Sequence, residues 1–158
     1  MTTSGTSNGK IESLVAMMSN DLRDQRSLLE KLLHLAESQG RLIESAEHDS
    51  LLALVHERQA IVEQLISIRS SLADNAESLR NQDVPPSDQE RESLQRQIDE
   101  TRELSEKVLA IDNQDVGRLM DNRDDCQEKL SGMAHAMNAR RGYRQGAQSS
   151  PRFADAKG

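Results

Sequence analysis

The sequence predicts an all-α protein in which an elongated antiparallel helical hairpin packs with a long third helix as a three-helix, coiled-coil-like bundle. Apolar residues recur at intervals of three and four over most of the chain, the spacing that lines one face of a helix. Between residues 10 and 138 only three glycines and the pair Pro85-Pro86 interrupt helical sequence. Aromatic residues make up 1% of the chain, so Leu, Ile, Val, Ala and Met must form the core, which favours elongated helical packing.

Helix 1 is predicted over about residues 10–44. Its apolar stripe follows a heptad spacing that only Gln25 and Gln39 interrupt, and it consists of Ile11, Val15, Met18, Leu22, Leu29, Leu32, Ala36 and Ile43. A flanking row of Leu14, Leu28, Leu35 and Leu42 widens the stripe, which indicates contact with two neighbouring helices. The two glutamines are expected to set the register of packing, as a polar residue in a helical seam can.

Helix 2 is predicted over about residues 50–80, with Asp49 or Ser50 as its N-cap. Its stripe consists of Leu51, Val55, Val62, Leu65, Leu72, Ala76 and Leu79, widened by Leu54, Ile61 and Ile68. Arg58 and Arg69 interrupt the stripe, and we expect their stems to pack along the seam while the charged heads reach water. The helix must end before Pro85-Pro86, because the residue before a proline is pushed out of the helical region.

Helix 3 is predicted over about residues 87–138, starting at a capping box formed by Ser87 and Glu90. Its apolar residues are sparse up to a weak point at 112–117, and the stripe resumes at Leu119, Cys126, Leu130, Met133 and Met137. Gly142 is expected to end the helix. Residues 1–9 and 139–158 lack apolar periodicity and are therefore expected to be disordered.

The charge of the chain is unevenly distributed. The net charge is -7, but residues 139–158 carry five basic residues and one acidic residue, so the tail is +4 and the remaining chain is -11. The acidic body argues against a nucleic-acid duplex as partner, because neutralising phosphates needs a basic face. No stretch of the sequence is long and apolar enough for membrane insertion, and its first ten residues do not resemble a secretory signal.

No residue pattern points to catalysis, a cofactor or a metal. None of the four histidines follows a glutamate by three residues, the spacing of carboxylate-bridged metal sites in helical bundles. Phosphate-binding loops, nucleophile elbows and paired redox cysteines are also missing. The single cysteine, Cys126, lies in the apolar stripe and is interpreted as a small hydrophobic residue. We therefore expect a protein without enzymatic activity.

The end of the chain holds the candidate binding residues. Leu130, Met133 and Met137 share one face of helix 3, and methionine adapts to varied partners. Tyr143 and Phe153 add aromatic anchors of the type enriched at interaction hot spots, within a basic segment that can steer an acidic client. Two alternatives stay open: this face binds a partner, or it folds back on the hairpin as ordinary core.

Several stretches of the chain resemble FlgN-type flagellar export chaperones. The similarity lies in the leucine-rich run at 28–39, in Asp49-Ser50-Leu51-Leu52, in the Glu-Arg-Gln-Ala-Ile-Val-Glu-Gln-Leu run at 57–65, in Asn113-Gln114 and in the ending from Gly142 to Gly158. The resemblance implies a small, acidic, cytoplasmic and non-enzymatic chaperone. Its partners would be flagellar hook-associated proteins, whose C-terminal helical segments it keeps soluble and unassembled before type III secretion. Docking of helices 1 and 2 on the export apparatus is left open.

A second hypothesis is a homo-oligomeric coiled-coil scaffold or adaptor, in which self-association covers the wide apolar stripes. The two hypotheses differ in the expected oligomeric state. A monomer at all concentrations favours the chaperone, and a stable dimer or larger assembly favours the scaffold.

Overall fold

The computed structural model describes residues 4–148, with side chains described over 5–143. Within that range it consists of three α-helices and no strand: α1 (Ser4–Ser45), α2 (His48–Arg80) and α3 (Asp88–Gln148). The predicted all-α class is confirmed. The chain divides into two compact units, Met1–Val116 and Gly117–Gly158, so α1, α2 and the first part of α3 belong to unit 1.

The helices extend beyond the predicted bounds at both ends of the chain. α1 begins at Ser4 rather than near residue 10, and α3 continues through Gly142 to Gln148 rather than ending near residue 138. Starting a helix is costly, whereas each added Ser, Thr or Gly costs no more than about 1 kcal/mol, so a long helix propagates through such residues. The remaining parts of the predicted tails, 1–3 and 149–158, lie outside the described residues.

In unit 1, α1 and α2 run antiparallel, as predicted. In the first half of α1, Asp21 accepts a hydrogen bond from the hydroxyl of Ser71 late in α2, with 2.8 Å between the oxygens. Near the end of α1, Gln39 Oε1 accepts from the guanidinium of Arg58 early in α2 at 2.6 Å. The order of these contacts along the two helices reverses, which fixes their relative direction.

The first part of α3 packs parallel to α1. Ser19 and Gln97 exchange hydrogen bonds at 3.1–3.2 Å, and Gln39 donates to the carboxylate of Asp115 at 3.4 Å. The residue numbers of these contacts increase in the same direction along α1 and α3, so the two helices are parallel. Unit 1 is therefore an up-down-up bundle in which both α1 and α3 are antiparallel to α2. Each polar contact crosses a helical seam and aligns the helices along their axes.

The core of unit 1 consists of two layers of apolar side chains, and all three helices contribute residues to each layer. One layer contains buried Met18, Leu22 and Leu94, with Val15, Leu72, Ala76, Leu79 and Ile98 packed against them. The other contains buried Leu29, Leu32, Ile61 and Val108, with Leu28, Leu33, Leu35, Leu65 and Leu104 around them. Seven of the eight residues of the predicted α1 stripe are buried, and Val15 is half-buried. Burying each such side chain contributes about 1.5–3 kcal/mol.

The prediction for α2 was wrong for two residues of its stripe, Val55 and Val62, whereas the stripe from Leu65 to Leu79 packs against the core as predicted. Val55 and Val62 are 44% and 41% exposed, and the fully buried residues are Leu54 and Ile61. Successive residues are rotated by about 100° around a helix axis, so each buried residue and its exposed neighbour define separate rows. Leu52 and Ile66 are also exposed, at 59% and 63%. α2 therefore carries one apolar row inside the bundle and a second one outside it.

The connection between α1 and α2 is a Schellman turn. The N–H of Glu47 donates to the carbonyl of Leu42 at 3.2 Å, and the N–H of Ala46 donates to the carbonyl of Ile43 at 3.3 Å. Ala46 holds the left-handed conformation that closes the turn, with φ 55°. α2 then starts at His48 with Glu47 as its N-cap, which makes no side-chain capping bond. The predicted capping by Asp49 or Ser50 is wrong, because both residues lie inside the helix.

The connection between α2 and α3 follows the prediction more closely. α2 ends at Arg80, and α3 begins at Asp88, after Pro85-Pro86. The hydroxyl of Ser87 accepts the backbone N–H of Glu90 at 3.2 Å, which is the first half of the predicted capping box. This bond satisfies one of the N–H groups that the first turn of a helix leaves unpaired.

Candidate functional site

The predicted binding face lies on α3 within unit 2. Leu119, Cys126, Leu130, Met133 and Met137 recur at intervals of three, four or seven residues, and we call them the C-terminal stripe. Leu130, Met133 and Met137 are 66%, 64% and 60% exposed. Leu119 and Cys126 are exposed as well. The sequence therefore identified one continuous apolar face, and the structure leaves that face accessible.

No residue between Gly117 and Tyr143 is buried or half-buried. The residues of the C-terminal stripe are therefore exposed along its whole length within unit 2. Large exposed apolar residues clustered on one helix face commonly mark a site of protein interaction, whereas apolar residues scattered singly over a surface do not.

Charges in this part of α3 are segregated around the helix. The four acidic residues Asp121, Asp124, Asp125 and Glu128 lie more than about 100° from the centre of the C-terminal stripe, on the opposite face. Arg123, Arg140 and Arg141 lie within about 55° of the stripe's centre by the same rotation of about 100° per residue. The apolar stripe is thus bordered by positive charge, which suits a partner helix with an acidic margin.

The two aromatic candidates do not join the stripe. Tyr143 is 87% exposed and belongs to α3 rather than to a flexible tail. Tyr143 lies six positions after Met137, which places the two about 120° apart around the helix axis. Phe153 lies outside the described residues. Of the five predicted binding residues, the structure therefore brings together Leu130, Met133 and Met137.

A polar cluster in unit 1 was not predicted from the sequence. Arg58 donates two hydrogen bonds to the Asp112 carboxylate, at 2.8 and 2.7 Å, and a third to Gln39 Oε1. Gln39 in turn donates to Asp115, which is 2% exposed. The side chains of Arg58 and Asp112 are only 15% and 32% exposed, so the expectation that Arg58 reaches water is wrong. The cluster joins all three helices of the bundle.

This cluster links the three helices through hydrogen bonds to a charged group. Its guanidinium is engaged by two acceptor side chains in a fixed, two-pronged geometry. The signal in the sequence was the coincidence of Arg58 and Gln39 as polar interruptions of two apolar stripes. The third member, Asp112, lies 54 residues from Arg58, and no local pattern connects them.

A groove lies where α2 and α3 meet. This groove of about 510 Å³ is lined by Leu79, Pro85, Pro86, Leu94 and Ile98, with Arg80 and Arg91 at its margin. Arg91 is held by Asp88 one turn earlier in α3. The apolar lining is continuous with the core layer that contains Leu94.

The part of the chain that the structure describes contains no group of three His, Cys, Asp or Glu residues positioned to hold a metal ion. None of the helical segments described combines the length and apolar character needed to cross a membrane. No protein-family model, no curated protein and no solved structure matches the chain.

Proposed function

We propose that the protein is a non-enzymatic, cytoplasmic export chaperone of the FlgN type that holds flagellar hook-associated proteins before type III secretion. In this proposal the C-terminal stripe binds a C-terminal helical segment of the client. The client helix lays its own apolar face along Leu130, Met133 and Met137, as helices do in helix-on-helix recognition. Covering both faces keeps the client soluble and unassembled.

The observation that carries the proposal is the exposure of 60–66% at Leu130, Met133 and Met137. Three neighbouring apolar side chains lie on one face, and removing their apolar surface from water favours the binding of a partner. Two of the three are methionines, whose flexible side chains adapt to more than one client. Arg123, Arg140 and Arg141 beside the stripe favour a client helix with acidic residues at its margins.

The test is calorimetric titration of the full chain with peptides from the C-terminal helices of hook-associated proteins. The double substitution Met133→Ala and Met137→Ala should weaken binding by about 1–4 kcal/mol, because both side chains become buried in the complex. Both residues are exposed in the free chain, so the helical content should be unchanged by circular dichroism.

The matched control is Met120→Ala. Met120 is 59% exposed and lies on the same part of α3, about 110° from the centre of the C-terminal stripe. Its replacement should leave the affinity for the client peptide within about twofold, which is within about 0.4 kcal/mol. Equal losses for Met120→Ala and the double variant, or no loss for either, would refute binding at the stripe.

The second candidate function is a homo-oligomeric scaffold. It is favoured by one observation, the exposure of apolar residues in both the C-terminal stripe and the outer row of α2. Sedimentation of the full chain separates the candidates: a stable assembly lost on replacing Met133 and Met137 means that self-association occupies the C-terminal stripe, and the chaperone proposal then fails.

A further inference from the structure

The outer row of α2 is a second unpartnered apolar face, on unit 1. Leu52, Val55, Val62 and Ile66, together with the polar Gln59, follow a regular spacing of three and four residues, and we call this set the α2 stripe. Its apolar members are 41–63% exposed. Heptad spacing of this kind is the requirement for a second helix to pack along the first.

The margin of the α2 stripe shows what kind of helix fits. Asp49, His56, Glu63 and Ser70 are exposed and follow one another at seven-residue intervals along one edge of the stripe. In an antiparallel pair of helices, residues of this edge face the same edge of the partner. A second copy of α2 can therefore place His56 opposite Glu63 of the first copy, twice by symmetry.

The alternative registers of this pairing are unfavourable. In the favoured register Val55 packs against Ile66 of the second copy, Gln59 packs against Val62, and His56 faces Glu63. Moving one helix by a heptad in one direction brings Asp49 opposite Glu63, and moving it in the other direction brings Glu63 opposite Glu63. Like charges directly opposite each other destabilise a helix pair, so charge selects the first register.

We propose that the α2 stripe is a self-association surface, on which a second copy of this chain packs antiparallel about a two-fold axis near Gln59 and Ala60. From Leu52 to Ile66 the stripe is about 21 Å long, at 1.5 Å per residue. A contact of this length stays below the roughly 1,200 Å² of a standard interface, so the dimer is weak and concentration-dependent. This inference uses residues other than those of the proposed client site.

The first experiment is sedimentation equilibrium of the full chain at concentrations up to about 1 mM, the range in which a weak dimer forms. We expect reversible dimerisation that Ile66→Glu weakens by at least about tenfold. The matched control is Leu109→Glu, because Leu109 is 60% exposed on α3 of the same unit and lies outside the stripe. A monomer throughout this range, or equal weakening by both variants, overturns the proposal.

A charge exchange tests the register itself. His56→Glu alone puts two glutamates opposite each other at both ends of the two-fold and should weaken the dimer by at least about tenfold. Adding Glu63→Lys to His56→Glu places opposite charges in the same contacts, and the dimer should recover. A dimer that loses affinity with the single variant and does not recover with the double variant contradicts the antiparallel register.

Disulfide trapping gives an independent geometric readout. In a Cys126→Ser background, the double variant Gln59→Cys, Val62→Cys should crosslink two copies under mild oxidation, since Gln59 of one copy packs against Val62 of the other. Leu109→Cys in the same background should remain uncrosslinked. The client titration separates the two proposals, because Ile66→Glu should keep the client affinity and the Met133→Ala, Met137→Ala variant should keep the dimer.

Discussion

Arg58 of α2 and Asp112 of α3 form a two-pronged ion pair inside the bundle, with both guanidinium nitrogens within 2.8 Å of the carboxylate. Asp112→Ala removes both acceptors and leaves a mostly buried cation with Gln39 as its remaining partner. We expect the free energy of unfolding to fall by about 1–3 kcal/mol, measured by urea denaturation.

The control for this pair is Lys107→Ala, which removes an ion pair with Glu103 on the surface of α3 at 3.4 Å. Both of its side chains are more than half exposed, so the change should stay within about 0.5 kcal/mol. Equal effects of the two variants would mean that solvent reaches the Arg58 cluster freely.

Ala46→Gly should stabilise the protein. Ala46 adopts φ 55°, a conformation in which an L side chain costs about 1 kcal/mol and glycine costs little. After subtracting roughly 0.5 kcal/mol for the added entropy of the unfolded chain, we expect a gain of about 0.5 kcal/mol and a higher melting temperature in calorimetry. The reference is Ala60→Gly at an exposed position within α2, which should cost about 1 kcal/mol. A loss of stability with Ala46→Gly would contradict the Schellman turn.

Two leucine-to-alanine substitutions distinguish core from surface. Leu29 is 5% exposed and belongs to a core layer, so Leu29→Ala should cost about 2–5 kcal/mol through lost burial and a cavity. Leu130 is 66% exposed, and Leu130→Ala should change the free energy of unfolding by no more than about 0.5 kcal/mol. Chemical denaturation of both variants measures the difference. Comparable costs would show that Leu130 is packed.

Ser87→Ala should weaken the start of α3. The substitution removes the hydroxyl that accepts the Glu90 N–H, and the expected cost is about 1 kcal/mol in thermal unfolding. Ser87→Asp provides the comparison, since its carboxylate can accept the same N–H and also suits the positive end of the helix. An alanine variant as stable as the aspartate variant would indicate that this cap contributes nothing.

Much of the helical architecture could be predicted because apolar periodicity and helix-breaking residues are local properties. The α1 stripe from Ile11 to Ile43 and its flanking leucines form one wide apolar face, which only Gln25 and Gln39 interrupt, so this face is the one that is buried. Pro85-Pro86 and the Ser87 cap determine the start of α3 through local interactions alone. The 3-4 spacing of Leu130, Met133 and Met137 likewise determines that they share a face, whatever surrounds them.

Which of two neighbouring apolar rows in the first half of α2 is buried was decided only by the tertiary structure. The Leu54–Ile61 row and the Val55–Val62 row are both apolar and about 100° apart, so this part of the sequence fits either orientation. α1 and α3 each contribute side chains to the core layers around Ile61, and their positions select the first row. The partner of Arg58 could not be predicted from the sequence either, because Asp112 is 54 residues away and contacts Arg58 only when α2 and α3 pack together. Local spacing states which residues share a face, whereas the packing of neighbouring helices decides what that face contacts.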